Sequence, residues 1–282
     1  MPALANRFGR NAVTYRQNRP LTVDEMRQFA PSIFTTEAHE SRSERYGFIP
    51  TIEVLRRLEG EGFRPFAVAQ TKTREEGHRE HTKHMIRLRH ANTVEADEAN
   101  EVILLNSHNG TSAYQMLAGM LRFVCENGMV IGDVVEDVRV RHTGDVAGAV
   151  IEGAYTVLDQ FELVENNRDE MKALPMSSAE QALFAESARI ARWGDPAEDP
   201  ANYAPVAART LLTPRRRSDS GSDLWSTFNV VQENVIRGGQ RGRTRADKRT
   251  KTAPINSVTN DVKLNRALWH LAEGMREIKA AG

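Results

Sequence analysis

The spacing of apolar residues changes along the chain and predicts helices at both ends and strands between them. Apolar residues recur every three or four positions, the spacing of amphipathic helices, in 21–29, 51–60, 144–171, 177–193, 224–236 and 261–279. Strand-forming residues dominate 63–74, 81–90 and 100–105, with polar turns between these stretches. Helical spacing returns in 113–127, at Ala113, Leu117, Met120, Leu121 and Val124. The middle of the chain therefore predicts a strand, strand, strand, helix core.

These elements predict an α+β fold with an antiparallel core and a mostly helical C-terminal half. Residues 1–20 are polar and contain several arginines, so we expect a flexible N-terminal arm. The predicted core domain covers 21–200, and a helical C-terminal region covers 201–282. Within that region, residues 238–254 are rich in Gly, Arg and Lys and poor in apolar side chains, which predicts a mobile basic loop.

Composition excludes several classes of protein. The 282 residues carry 38 basic and 38 acidic side chains, so a uniformly basic nucleic-acid binder is excluded, whereas local basic patches are not. Cys125 is the single cysteine, which excludes an intramolecular disulfide and a Cys-rich zinc module. No apolar run reaches membrane-spanning length, and the N-terminal residues lack the apolar segment of a secretory signal. We therefore expect a cytoplasmic protein that does not contact membranes.

Two basic segments stand out against the zero net charge, and together they supply eleven candidate nucleic-acid-binding residues. In the predicted strand pair, side chains that share a strand face are Lys72 with Arg74, and Lys83 with Arg87 and Arg89. The C-terminal segment contributes Arg215, Arg216, Arg217, Arg241, Arg243 and Arg245. Acidic residues concentrate elsewhere, in 95–101, in 133–137 and in 162–170, and this separation of charge favours binding to phosphates. The alternative is a solvated surface without a partner.

Motifs for catalysis and metal binding are weak or missing. His78, His81 and His84 are three residues apart, which places successive members on opposite faces of a strand, and no HExxH pair accompanies them. The sequence has no P-loop, no GxGxxG and no GxSxG motif. We therefore expect a non-enzymatic protein without metal or cofactor, and a metal-dependent hydrolase that uses the histidines is the least favoured alternative.

Three motifs in combination resemble a known family. Residues 106–110 read Asn-Ser-His-Asn-Gly, residues 122–128 carry Arg, Cys, Asn and Gly at fixed spacing, and residues 225–233 read WSTFNVVQE. Over about 30–240 the chain resembles a group of phage- and plasmid-borne proteins of unknown function. The strand, strand, strand, helix core is also similar to that of ring-forming single-strand annealing proteins, which act without ATP and carry DNA in a basic groove. In the third motif, Trp225 and Phe228 share a helix face, which predicts a core helix.

The basic segments and the resemblance together favour a nucleic-acid-binding protein of a phage, prophage or plasmid. Phosphate contacts supply affinity without sequence preference. The similarity to annealing proteins implies single-stranded DNA as the partner, strand annealing in recombination as the process, and a homo-oligomer, with a ring as one form. The alternative function is that of a protein-binding anti-restriction or anti-defence effector, which would use the acidic segments as its contact surface.

Overall fold

The protein consists of two compact units. The structure is a computed structural model, and it describes residues 12–37, 48, 50–73, 76–90, 98–108, 114–122, 127–130, 138–140, 145–255 and 257–281. The first unit is formed by 1–161 and 256–258, the second by 162–255 and 259–282. The boundary at 161–162 lies inside the predicted core domain, and within the second unit the helix Ser178–Trp193 packs on two later helices.

The first unit contains an antiparallel sheet in which consecutive strands lie side by side. Its strands are β1 (Ala12–Arg16), β2 (Phe63–Thr71), β3 (His84–His90), β4 (Glu98–Asn106), β5 (Tyr114–Arg122) and β6 (Asn127–Val130), and β7 (Val138–Val140) also pairs with β5. Its helices are α1 (Val23–Phe29), α2 (Thr51–Gly60) and α3 (Val146–Asp159), with 3-10 turns at Pro31–Phe34 and Glu76–His81. The α+β class and the three predicted strands are thereby confirmed.

The strand β1 lies in a segment that was predicted to be a flexible arm. It pairs along β2, from Ala12 opposite Thr71 to Arg16 opposite Ala67. Tyr15 is buried, and its ring stacks on that of Phe29 in α1 with 4.1 Å between the ring centroids. The prediction is therefore wrong for residues 12–16, because the strand is only five residues long and its stability comes from pairing with β2, which is distant in the sequence.

The strand β5 occupies the segment for which helical spacing predicted the core helix. It pairs with β4 from Glu98 opposite Arg122 to Leu105 opposite Gln115, so the predicted helix is wrong. Met116, Leu117 and Ala118 are consecutive and all buried. A strand that is buried on both faces has a continuous apolar run, and such a run also satisfies helical spacing.

The second unit is mostly helical. Its helices are α4 (Phe161–Ala173), α5 (Ser178–Trp193), α6 (Ala208–Leu211), α7 (Leu224–Arg237) and α8 (Val258–Ala281), and α4 and α8 begin at the boundary. The single helix predicted for 144–171 is in fact α3 followed by α4. Two short strands, β8 (Arg241–Arg243) and β9 (Arg249–Lys251), form a hairpin. Within the described residues, no helix is long and apolar enough to cross a membrane.

The helix α7 forms the core of the second unit, as its apolar stripe predicted. Trp225 and Phe228 are buried, and their rings stack with centroids 5.6 Å apart. Both rings contact Trp269 of α8 edge-on. The polar positions Asn229 and Gln232 are buried as well, and their amides donate to the Trp225 carbonyl and to Asn265. Buried amide side chains require hydrogen-bond partners of this kind, because they are no longer hydrated.

Candidate functional site

The basic stripe predicted on β2 and β3 is not a continuous exposed surface. Arg87 and Arg89 are buried, with only 2% and 3% of their surface exposed, and the expectation that they face solvent is wrong. Lys72 is exposed beyond the end of β2, and Lys83 is half-buried before β3. Arg74 lies outside the described residues. Of the predicted stripe, Lys72 is thus the one described cation that is exposed.

A carboxylate on the neighbouring strand accounts for the burial of these two arginines. The Nε atoms of Arg87 and Arg89 donate to the two oxygens of Glu101, which is completely buried. Burial alone would raise the pKa of Glu101, but the charges of Arg87, Arg16 and Arg89 outweigh it and lower the pKa. Glu101 therefore stays ionised, and the arginines are committed to an internal ion cluster.

A glycine makes room for this cluster on the adjacent strand. Gly119 of β5 lies opposite Glu101 of β4. A Cβ atom at Gly119 would come within 2.8 Å of Arg87 Nη2 and within 2.6 Å of Ile103 Cδ1. The guanidinium of Arg89 is held from another side by the ring of Phe66, at 4.0 Å from the ring centroid. The cluster is thus a built structural feature of the sheet.

The consecutive arginines of the second unit are mostly engaged with α7. The two terminal nitrogens of Arg216 donate hydrogen bonds to the two carboxylate oxygens of Glu233, at 3.0 and 2.6 Å. One of them also donates to the carboxylate of Asp219 at 2.7 Å. Arg215 donates to the side chain of Asn234 at 2.9 Å. Arg217 is exposed. The bidentate pair fixes the guanidinium of Arg216, and Arg215, which is exposed, adds single bonds to Asn234 and to the Gly238 carbonyl; both arginines hold the loop against α7 and its end.

The β8–β9 hairpin concentrates exposed positive charge. Arg241 lies directly opposite Lys251, and Arg243 lies directly opposite Arg249. All four side chains are exposed, and the loop adds the cations Arg245 and Lys248 and the anion Asp247. Asp247 forms an ion pair with Arg243 at 2.8 Å and so compensates part of this charge. Like charges directly opposite each other destabilise a strand pair, so the pairing of Arg241 with Lys251 costs folding free energy unless a further anion compensates it.

The hairpin is anchored, although its segment was predicted to be a mobile loop. The N–H of Arg243 donates to the Pro205 carbonyl at 2.8 Å, and Gly242 lies so close that a Cβ atom there would collide with that carbonyl. At the base, Gly239 and Gln240 exchange backbone bonds with Thr252 at 2.7 and 2.9 Å. The segment 238–254 thus contains regular structure, because backbone pairing and docking replace the missing apolar side chains.

An exposed aromatic side chain flanks the hairpin. The hydroxyl of Tyr203 donates to the Arg243 carbonyl at 3.0 Å, while 40% of the residue's surface stays exposed. The guanidinium of Arg245 lies 5.9 Å from the centroid of its ring and donates to the Pro200 carbonyl. The sequence had no signal for this residue, since Tyr203 stands alone in a proline-rich linker.

A second polar constellation lies buried in the first unit, around His84. Its Nδ1 is 2.9 Å from Ser32 Oγ and 3.3 Å from the Thr82 carbonyl, and its Nε2 is 2.9 Å from Thr51 Oγ1. A carbonyl only accepts, so Nδ1 carries the proton and Nε2 accepts from the Thr51 hydroxyl. Burial lowers the pKa of His84 to about 4. The imidazole is therefore neutral near pH 7.

The hydroxyl of Thr51 connects this histidine to the Asn-Ser-His-Asn-Gly motif. Asn106 Nδ2, His108 Nε2 and the Tyr114 hydroxyl lie 3.0, 3.2 and 3.3 Å from Thr51 Oγ1. Thr51 is the first residue of α2, after Pro50 at the N-cap. Asn106 and His108 of the motif, together with Tyr114 of β5, therefore connect β4 and β5 to α2. Its last two residues, Asn109 and Gly110, lie outside the described residues.

The histidines do not assemble a metal centre in the described part of the chain. The rings of His84 and His108 lie 5.3 Å apart between centroids and share the Thr51 hydroxyl. No group of three or more His, Cys, Asp or Glu side chains among the described residues has the arrangement to hold a metal ion. The constellation can position three elements and fix a tautomer, which is the usual effect of a buried polar network.

The stability of the folded protein should decrease at acidic pH because of His84. The ordinary pKa of histidine is about 6.5, so between pH 7 and pH 5 the unfolded chain takes up a proton that the buried, neutral His84 does not. We expect the free energy of unfolding to fall by about 2 kcal/mol over this range, measured by urea denaturation. His84→Gln should remove most of this dependence, whereas His270→Gln, at an exposed site, should not. Equal pH dependence in all three proteins would contradict the assignment.

These observations define an α+β protein with a buried polar network and an exposed basic hairpin. Domain of unknown function (DUF932) matches residues 38–269, so the chain belongs to this family. It is 47% identical over 275 residues to UPF0380 protein YafZ of Escherichia coli (strain K12), covering 98% of each chain. It is 48% identical over 273 residues to UPF0380 protein YfjQ of the same strain, covering 97% of each chain. No solved structure matches.

The family membership agrees with the predicted resemblance to proteins of unknown function. It lends no support to the similarity with ring-forming annealing proteins. That similarity depended on a helix directly after the third strand, and the segment contains β5 instead.

Proposed function

We propose that this protein binds nucleic acid through the β8–β9 hairpin and catalyses no reaction on it. The observation that carries the proposal is the pairing of Arg241 with Lys251 and of Arg243 with Arg249. A phosphate backbone laid along the hairpin reduces the repulsion between Arg241 and Lys251, adds to the compensation that Asp247 gives the second pair, and releases its own counterions. Binding then has the strong salt dependence that is typical of phosphate contacts.

Single-stranded DNA is the partner that suits this surface best. Side chains on one face of a strand recur about every 7 Å. The hairpin therefore offers cations in two short rows, to which an extended and flexible backbone can adapt. The partly exposed ring of Tyr203 lies beside these rows and can stack on a base. Because phosphate contacts carry no sequence information, we expect weak sequence preference.

Replacing the four paired cations tests the proposal. In the hairpin variant, Arg241, Arg243, Arg249 and Lys251 are changed to Gln; the control variant changes Arg56, Arg57, Lys172 and Lys263, which are also exposed. Both variants lose the same net charge. We expect the hairpin variant to bind single-stranded DNA more weakly and its salt slope to fall by about 0.7 for each phosphate that the protein no longer neutralises. Fluorescence anisotropy at several salt concentrations measures both quantities.

The control variant should bind almost as wild type does, since exposed charges outside the interface act only at long range. Equal weakening in both variants would show a general charge effect and contradict a hairpin interface. Wild-type protein that does not bind single- or double-stranded DNA at low ionic strength would exclude the proposal and favour the effector alternative. The effector alternative has less acidic surface for a partner to contact, because Glu101 of the acidic segment 95–101 is buried.

Strand annealing and assembly into a homo-oligomer extend the same proposal. A protein that coats a single strand and neutralises its phosphates lowers the repulsion between complementary strands. An annealing assay with complementary oligonucleotides tests the first point, and light scattering during size-exclusion chromatography tests the second. Faster annealing by wild type than by the hairpin variant is the expected result.

A further inference from the structure

A pocket of about 320 Å³ lies in the first unit, beside the end of β2. Its lining residues are Val13, Phe29, Gln70, Thr71, Lys72, Thr73 and Arg79. Small-molecule sites commonly begin at about 300 Å³ and combine apolar walls with a few polar groups. The pocket has the size and the mixed lining of such a site.

The charged residues among the described lining of the pocket are both positive. They are Lys72 and Arg79, which are exposed, and none of the other described lining residues is acidic. Thr71 adds a hydroxyl group, a type of group that can donate to the oxygens of an anion. A ligand with one or two negative charges therefore fits this side of the pocket better than a neutral or cationic one.

The opposite side is apolar and held in place. Phe29 lines it together with Val13. The ring of Phe29 is nearly parallel to that of Tyr15, with an interplanar angle of 5°, and Tyr15 bonds to Glu25 of α1 at 2.8 Å. A flat apolar ligand group can pack against these side chains without first ordering them.

Hydrogen bonds also hold the segment that carries Arg79. The amide of Gln70 donates to the Arg79 carbonyl at 2.7 Å and accepts from both the N–H and the hydroxyl of Ser32 at 3.0 and 2.9 Å. Gln70 is buried, and the Thr82 hydroxyl bonds to the same carbonyl at 3.1 Å. The backbone that carries Arg79 is therefore fixed, which reduces the part of the binding entropy that ordering this segment would cost.

We propose that this pocket binds an organic anion of the size of a mononucleotide. The phosphate lies between Lys72 and Arg79, near the hydroxyl of Thr71, and the base packs against Phe29. This site belongs to the first unit and does not depend on the basic hairpin of the second.

Calorimetric titration of the full-length protein with adenosine 5′-monophosphate tests the site. We expect binding to wild type, and affinity lower by roughly tenfold or more in the Lys72→Gln/Arg79→Gln variant, because charge-assisted hydrogen bonds are removed. The matched control, Arg56→Gln/Arg57→Gln, removes two exposed cations of α2 and should bind as wild type does. Adenosine and inorganic phosphate, each lacking one half of the ligand, should both bind more weakly than the nucleotide.

Several outcomes would overturn the assignment. They are absence of binding at millimolar nucleotide, unchanged affinity in the double variant, and inorganic phosphate or adenosine binding as tightly as the nucleotide. The four-residue hairpin variant separates this site from the proposed function, since it should bind the nucleotide normally while it loses single-stranded DNA. Loss of nucleotide binding in the hairpin variant would place the nucleotide on the hairpin and contradict the pocket.

Discussion

Glu101→Gln is expected to lower the free energy of unfolding by about 3–5 kcal/mol, the usual cost of breaking a buried ion pair. Glutamine has nearly the same shape as glutamate, so the packing around Gly119 is kept. The substitution removes the charge that compensates Arg87 and Arg89, which remain buried. Urea denaturation at pH 7 measures the difference.

Glu53→Gln on the exposed side of α2 is the matched control, and it should change stability by less than about 0.5 kcal/mol. The pH profile supplies a second readout. Because the pKa of Glu101 is lowered on folding, its contribution is present above the ordinary pKa and is lost as the pH falls below it. The Glu101→Gln protein should lack this acid-dependent loss. A variant as stable as wild type would mean that the two guanidinium groups are solvated and not buried.

Trp225→Ala should destabilise the second unit by about 3–5 kcal/mol, the range for an aromatic residue truncated in a core. Its indole is buried and contacts both Phe228 and Trp269, so its loss leaves a cavity between α7 and α8. Thermal denaturation with circular dichroism detects the loss as a lower melting temperature.

Trp193→Ala is the control for this substitution, since Trp193 is half-buried at the end of α5 and should cost much less. The two variants also separate core packing from ligand binding. Trp225→Ala protein with normal stability that no longer binds single-stranded DNA would make Trp225 a stacking surface and contradict its assignment to the core.

Elements with a local signal could be predicted from the sequence. Ser177 and Glu180 have the spacing of a capping box, and this box begins α5; Thr22 and Glu25 form the same arrangement at the start of α1. The apolar stripe around Trp225 identified a core helix. Each of these signals lies within one turn or one face of a helix, so the residues that carry it are close in the sequence.

The candidate site could be predicted only in part. Arg241, Arg243 and Arg245 were identified from their composition alone, and they are exposed on or beside the hairpin. The same criterion selected Arg87 and Arg89, which are buried. Charge in a sequence shows that a partner is needed, but it does not distinguish a phosphate from a carboxylate on a neighbouring strand.

The sequence by itself therefore determined the α+β class, most helices, three strands and the places where positive charge accumulates. The tertiary structure decided which cations are exposed and which are buried, and it decided that β5 is a strand. It also assembled the network around Thr51, whose partners His84 and Tyr114 are 33 and 63 positions away. The physical reason is the range of the interactions. Capping and helical periodicity act between near neighbours, whereas strand pairing and the burial of charge depend on residues that only folding brings together.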